Sequence, residues 1–196
     1  MQGIYYTFKP GMGSITDQND FELKFSLPDQ HAVEYAAYIN NEQKLSKKLT
    51  IQYGLRWSFY NYVGKGTAYY YRDTVPNVSK QISSEETFDF LKNIKFYNVP
   101  EPRMALNYMF NSKNSVKVSY SRMAQYLQMV SNTAASSPFD IYAPASNNLK
   151  PLVSDQLALG YYKNFKENKY ETSLEIYYKG LQNQLDYIDN SNLILN

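Results

Sequence analysis

The chain has 196 residues, 19% of them charged, and a formal net charge of +2. It is therefore long enough for one structural unit and too nearly neutral to read as a nucleic-acid binder. With no cysteine and one histidine, His31, disulfide frameworks, zinc clusters and thiol nucleophiles are excluded.

No apolar run reaches the roughly 18 residues of a membrane-crossing helix, and the start MQGIYYTFKPG lacks the charged lead and apolar core of a signal peptide. The composition is instead aromatic, with 21 Tyr, 10 Phe and one Trp at a mean hydropathy of −0.56. A polar chain rich in rings suits strands with one apolar and one wet face. In chain order, Phe21, Leu23, Phe25 and Leu27 alternate with Glu22, Lys24 and Ser26 and stop at Pro28, which offers a seventh strand beside six clearer ones. Val33, Tyr35, Ala37 and Ile39 alternate with Glu34, Ala36, Tyr38 and Asn40. After the link Lys44 to Lys48, Ile51, Tyr53, Leu55, Trp57 and Phe59 alternate with Gln52, Gly54, Arg56 and Ser58, giving a first hairpin.

The same pattern recurs twice. Met104, Leu106, Tyr108 and Phe110 lead through the turn Asn111-Ser112-Lys113-Asn114 to Val116, Val118 and Tyr120. Leu157, Leu159 and Tyr161 lead through Lys166-Glu167-Asn168-Lys169 to Tyr170, Thr172, Leu174, Ile176 and Tyr178. Short turns alternate with long connections, Asn61 to Pro100 and Leu127 to Ser154, and both long connections fall at the same end. An antiparallel up-and-down meander with tight turns at one end and long loops at the other is the pattern of an outer-membrane barrel, and strands of about ten residues match the 9 to 11 that a tilted strand needs to cross hydrocarbon. The expected fold is all-β, a partial transmembrane β-barrel with short periplasmic turns and long extracellular loops, residues 1–196 forming a single unit. Rings fall into two belts: Tyr53, Tyr108, Phe110, Tyr161, Phe165 and Tyr170 toward the turns, and Trp57, Phe59, Tyr60, Tyr126 and Tyr178 toward the loops.

No catalytic constellation emerges, so the chain reads as a non-enzyme without cofactor or metal. His31 and Glu34, three apart on a strand, point to opposite faces; Glu85, Glu86 and Asp89 read as solvated loop charge; Gly11-Met-Gly and Gly64-Lys-Gly lack the strand and helix context of a phosphate loop. Lys44, Lys47, Lys48, Lys113, Lys166 and Lys169 cluster in the three turns. Gln52, Arg56, Lys117, Gln156 and Glu175 would line an inner wall. The run Thr67-Ala-Tyr-Tyr-Tyr-Arg offers Tyr69, Tyr70, Tyr71 and Arg72 as ligand contacts, rings for a sugar or flat chelate and a guanidinium for an anion, while 131–148 reads as a mobile external loop.

The run His31-Ala-Val-Glu-Tyr-Ala-Ala-Tyr-Ile-Asn-Asn-Glu-Gln, with Leu45-Ser-Lys-Lys-Leu, Tyr53-Gly-Leu-Arg-Trp-Ser, Glu101-Pro-Arg, Ser119-Tyr-Ser-Arg, Leu149-Lys-Pro, Leu159-Gly-Tyr-Tyr-Lys-Asn-Phe and Glu175-Ile-Tyr-Tyr-Lys, resembles in order and spacing the barrel of TonB-dependent outer-membrane receptors of the Bacteroidetes type. The resemblance implies a 22-stranded plugged barrel in the bacterial outer membrane that imports a scarce nutrient, a siderophore, glycan or similar. Its partners would be outer-membrane lipid, a plug domain, a TonB-type energy-coupling protein and a lipoprotein lid. This sequence shows no plug domain, no TonB-interacting box and no closing aromatic strand, so the expectation is a fragment of such a barrel. A soluble all-β carbohydrate-binding or adhesin-like module and a small complete outer-membrane barrel stay open as alternatives.

Overall fold

A computed structural model of the chain describes residues 2–9, 12–16, 22–26, 29–72, 81–130, 141–165 and 169–185. Among them the regular elements are all strands: β1 (Gln2–Phe8), β2 (Met12–Thr16), β3 (Glu22–Ser26), β4 (Gln30–Lys44), β5 (Leu49–Val63), β6 (Gly66–Tyr71), β7 (Ile82–Phe88), β8 (Asn93–Asn111), β9 (Asn114–Gln125), β10 (Leu127–Val130), β11 (Ile141–Pro144), β12 (Leu152–Phe165) and β13 (Tyr170–Gln182).

Seven strands form one antiparallel sheet in the order β1-β4-β5-β8-β9-β12-β13, and the other six pair as the hairpins β2–β3, β6–β7 and β10–β11. Each of the three long connections at one end thus carries a hairpin, while the other end closes with tight turns. In the first turn Ser46 Oγ accepts from the backbone of Lys48 and Leu49, both at 3.1 Å. In the second, Asn111 Oδ1 accepts from Lys113 N at 2.9 Å, an Asx turn that pre-shapes the backbone. Both turns also bond sideways, Met109 N to Lys48 O and Asn164 N to Lys113 O, each at 2.8 Å.

The alternating segments stand where their period places them, and the strands run longer than the pattern alone marks. β4 and β5 have 15 residues each and β8 has 19, more than a membrane crossing needs. Two expectations are corrected. The seventh strand of the main sheet is β1, paired with β4 from Gln2↔Ala36 to Phe8↔Gln30; the segment expected in that role supplies β3, which pairs with β2, and Phe21, Leu27 and Pro28 lie outside the described residues. The long connections do not wander: β6–β7 and β10–β11 organise them, and Gly64 closes the base of β6–β7, where an added Cβ would lie 2.3 Å from Asp89 O.

Packing is one-sided. The buried cluster of Ala32, Tyr60, Tyr126 and Ala145, flanked by Tyr6, Phe8, Tyr62, Tyr97 and Val99, sits at the loop end, where the third connection folds back over the sheet. Among the described residues nothing covers the opposite face.

Candidate functional site: a two-faced wall

Directly paired residues share a face, so the ladders assign every side. Tyr35↔Phe59, Ala37↔Trp57 and Ile39↔Leu55, Tyr53↔Met104 and Ile51↔Leu106, Leu106↔Val118, Leu159↔Val118 and Leu159↔Ile176 make one continuous outward face. It is apolar and bare: Ile39 is 73% exposed, Leu157 53% and Leu174 69%. The two belts are there with a correction. Toward the loops Tyr35, Trp57 and Phe96 each stack on Phe59, with centroids 5.2, 5.6 and 6.4 Å from it. His31 extends the belt, its Nδ1 3.0 Å from Tyr5 OH. Toward the turns Tyr108 and Phe110 meet edge to face at 5.1 Å. Tyr60 and Tyr126 are not belt residues. They stack on each other at 4.7 Å in the cluster on the inner side, because Tyr60 pairs with Glu34 and Tyr97.

The outward apolar row slides along the ladder from strand to strand. Pairing joins Leu49 to Tyr108, Val116 and Tyr161. Leu49 ends the row on β5, but on β12 the row continues past Tyr161, across the stem of Lys163, to Phe165. At the other end pairing joins Tyr53 to Met104, Tyr120 and Leu157. Leu157 ends the row on β12, where Asp155 follows, but on β5 it continues from Tyr53 to Phe59. The band therefore shifts four residues at one end and six at the other over three strand steps, or about 4–7 Å per step against a strand spacing of about 4.8 Å. It lies level only if the strands lean by roughly 40–55°, which spans the tilt of about 45° of strands that cross a bilayer. Arg122 marks the upper limit: its Nε and Nη2 donate to the two Asp155 oxygens at 2.8 and 3.0 Å, and Tyr120 OH donates to Oδ1 at 2.6 Å, so the outward charges at this height are paired.

The inward face is polar. Gln52, Arg56, Lys117, Gln156 and Glu175 all lie on it, as the alternation requires, and His31 and Glu34 stand on opposite faces. Sequence reasoning missed how three of these charges meet. Arg56 donates to Glu34 Oε1 at 3.1 Å and to Glu101 Oε1, with Tyr6 OH on Glu34 Oε2 at 3.1 Å. Glu101 is 1% exposed, and the group carries one more negative than positive charge. Only the register reveals it, since the three residues come from three strands.

Above this network the third connection lies on the inner wall. Tyr126 OH is 2.8 Å from Ser58 Oγ, and Tyr97 OH donates to Ser146 O at 2.7 Å. Asn147 and Asn148 donate to Tyr69 O at 2.8 and 2.9 Å, tying the third connection to the second. Of the segment expected to be a mobile loop, 131–140 lies outside the described residues and 141–148 is held by these bonds. Tyr69, Tyr70 and Tyr71 are each about 40% exposed, but they occupy β6 and so alternate between faces. The structure does not gather them into one platform with Arg72, whose backbone N donates to Gln81 O at 3.1 Å. Among the described residues no group of three acidic or histidine side chains is placed to hold a metal.

A profile of the TonB-dependent receptor-like β-barrel family matches residues 2–195, and the chain belongs to that family. Among solved structures, the alcaligin outer-membrane receptor FauA from Bordetella pertussis aligns at a TM-score of 0.47 with 16% identity, covering 99% of this chain and 32% of that one. The chain spans about a third of the length of that receptor. No curated protein matches it.

Proposed function

We propose that these strands are one arc of a larger plugged barrel that imports a scarce nutrient, a siderophore, a glycan or a compound of that kind, across a bacterial outer membrane. One observation carries the reading: the outward apolar band is level only at the tilt of a membrane-crossing strand. In a soluble module the same rows would pack against a second layer, and the described residues supply none. A small complete barrel would join its first strand to its last, whereas among the described residues β1 and β13 each pair on one side only. Hydrocarbon tolerates no open sheet edge, so further strands of the same barrel complete the wall.

On this reading residues 1–196 form a single unit of wall. Gln52, Arg56, Lys117, Gln156 and Glu175 face the lumen and a plug domain, and a TonB-type protein supplies the energy. Tyr69, Tyr70, Tyr71 and Arg72 at the mouth contact the ligand from either face of β6, and a lipoprotein lid would close over the same end. The chain then transports rather than catalyses. A charge scan in the full-length protein tests this. Leu55→Arg and Leu159→Arg, both within the band rather than at its ends, are expected to destabilise the inserted barrel by about 2–4 kcal/mol and to block membrane assembly, while Gln52→Arg assembles normally. Equal tolerance on both faces would contradict the proposal.

A further inference from the structure

The lysines of the tight turns remain without a role in the import reading. By sequence the turn stretches 44–48, 111–114 and 166–169 hold six lysines and one glutamate, a balance of +5. The loop-end connections 9–29, 64–92 and 126–151 hold seven cations and nine anions, a balance of −2. The fold gathers the positive stretches at one rim. Lys44, Lys47, Lys48, Lys113 and Lys169 are exposed there, and none pairs with a carboxylate among the described residues. Two of these turns are fixed rather than loose, since Lys48 O and Lys113 O each accept from the neighbouring strand at 2.8 Å.

The rim also borders the turn-end aromatic belt. Just above it Lys163, on the outward face, sets its ammonium 4.7 Å from the centroid of the Phe165 ring, with its stem along the apolar row in the snorkelling posture of an interfacial lysine. A ring of cations directly below a hydrocarbon-level belt meets the headgroups of the nearer leaflet, and clustered lysines there attract anionic lipid within a Debye length of about 8 Å.

We infer that the short-turn rim is a lysine collar that binds anionic phospholipid of the periplasmic leaflet, of the phosphatidylglycerol kind, and so sets the depth and direction of the barrel. This rests on the membrane reading above. The test uses the intact receptor, delipidated in neutral detergent and titrated with phosphatidylglycerol, with phosphatidylethanolamine or with inorganic phosphate, while its thermal unfolding is followed. Phosphatidylglycerol is expected to raise the midpoint, and high salt to abolish the rise. The combined variant K44Q/K47Q/K48Q/K113Q/K163Q is expected to need roughly tenfold more of the lipid, whereas the loop-end control K65Q/K92Q responds like wild type. An equal rise with phosphatidylethanolamine, with inorganic phosphate or in the combined variant overturns the collar, as does a wild-type rise indifferent to salt, which reads out even if the combined variant fails to fold. A receptor that inserts and folds without this preference removes the collar alone; one that stays soluble without detergent removes the membrane reading as well.

Discussion

The two faces of β5 share one backbone and divide the protein's chemistry. Outward, Leu49 to Phe59 offer only apolar and aromatic groups in a bare row. Inward, Gln52 donates to Glu42, Arg56 to Glu34 and Glu101, and Ser58 meets Tyr126. A globular sheet buries its apolar face and wets its polar one. Here the polar side holds the buried residues and the apolar side is open, an inversion that follows when the solvent outside is hydrocarbon. If hydrocarbon lies outside, an unpaired charge in the middle of the outward band is the costly error there, whereas on the inward face partners and close fit matter most.

The largest inward effect is expected at Arg56. Arg56→Met leaves Glu101 buried with no counter-charge, which should destabilise the barrel by about 3 kcal/mol, the lower end for a broken buried pair because Arg56 is itself partly exposed. Urea unfolding in detergent measures it, and the double variant Arg56→Met/Glu101→Gln should recover most of the loss. Next comes Gly54, where a Cβ would fall 2.8 Å from Ile39 O and 2.0 Å from the Asn40 side chain. Gly54→Ala should cost about 1–3 kcal/mol through overpacking and show as a lowered melting midpoint. Smallest is Tyr126→Phe, which removes the hydroxyl contact with Ser58 but keeps the ring stack. A loss of about 1 kcal/mol is expected, accompanied by faster proteolytic nicking of the third connection with no change in barrel assembly.

The same inversion decides what was legible in the sequence. Where one face meets lipid and the other water, as from Ile51 to Phe59, alternation marks the strand and its side. At the loop end the third connection covers the inner wall, so both faces carry rings. β1 presents Tyr5 outward and Tyr6 inward, and β5 ends with Tyr60 and Tyr62 inward beside Phe59. Alternation disappears there for a physical reason, which hid β1 and drew Tyr60 and Tyr126 into the outer belt. The Glu34–Arg56–Glu101 network was hidden differently. Its members are unremarkable singly and meet only through the register of three strands. Of the hairpins in the long connections, only β2–β3 shows itself by alternation, through Leu23 and Phe25 of β3; β6–β7 and β10–β11 have no lipid-facing period to announce them.

Which solvent touches each face of β5 separates a wall in lipid from a sheet in water. Single-cysteine variants from Thr50 to Trp57, in a chain whose 196 residues contain no cysteine, can carry a nitroxide label in the full-length protein in bilayers, any cysteine elsewhere in that protein being replaced first. Labels at Ile51, Tyr53, Leu55 and Trp57 should collide freely with dissolved oxygen and little with a hydrophilic nickel chelate, and labels at the inward Thr50 and Gln52 should show no such oxygen preference. An accessibility profile without this two-residue period, or with both faces equally open to the chelate, would contradict the account.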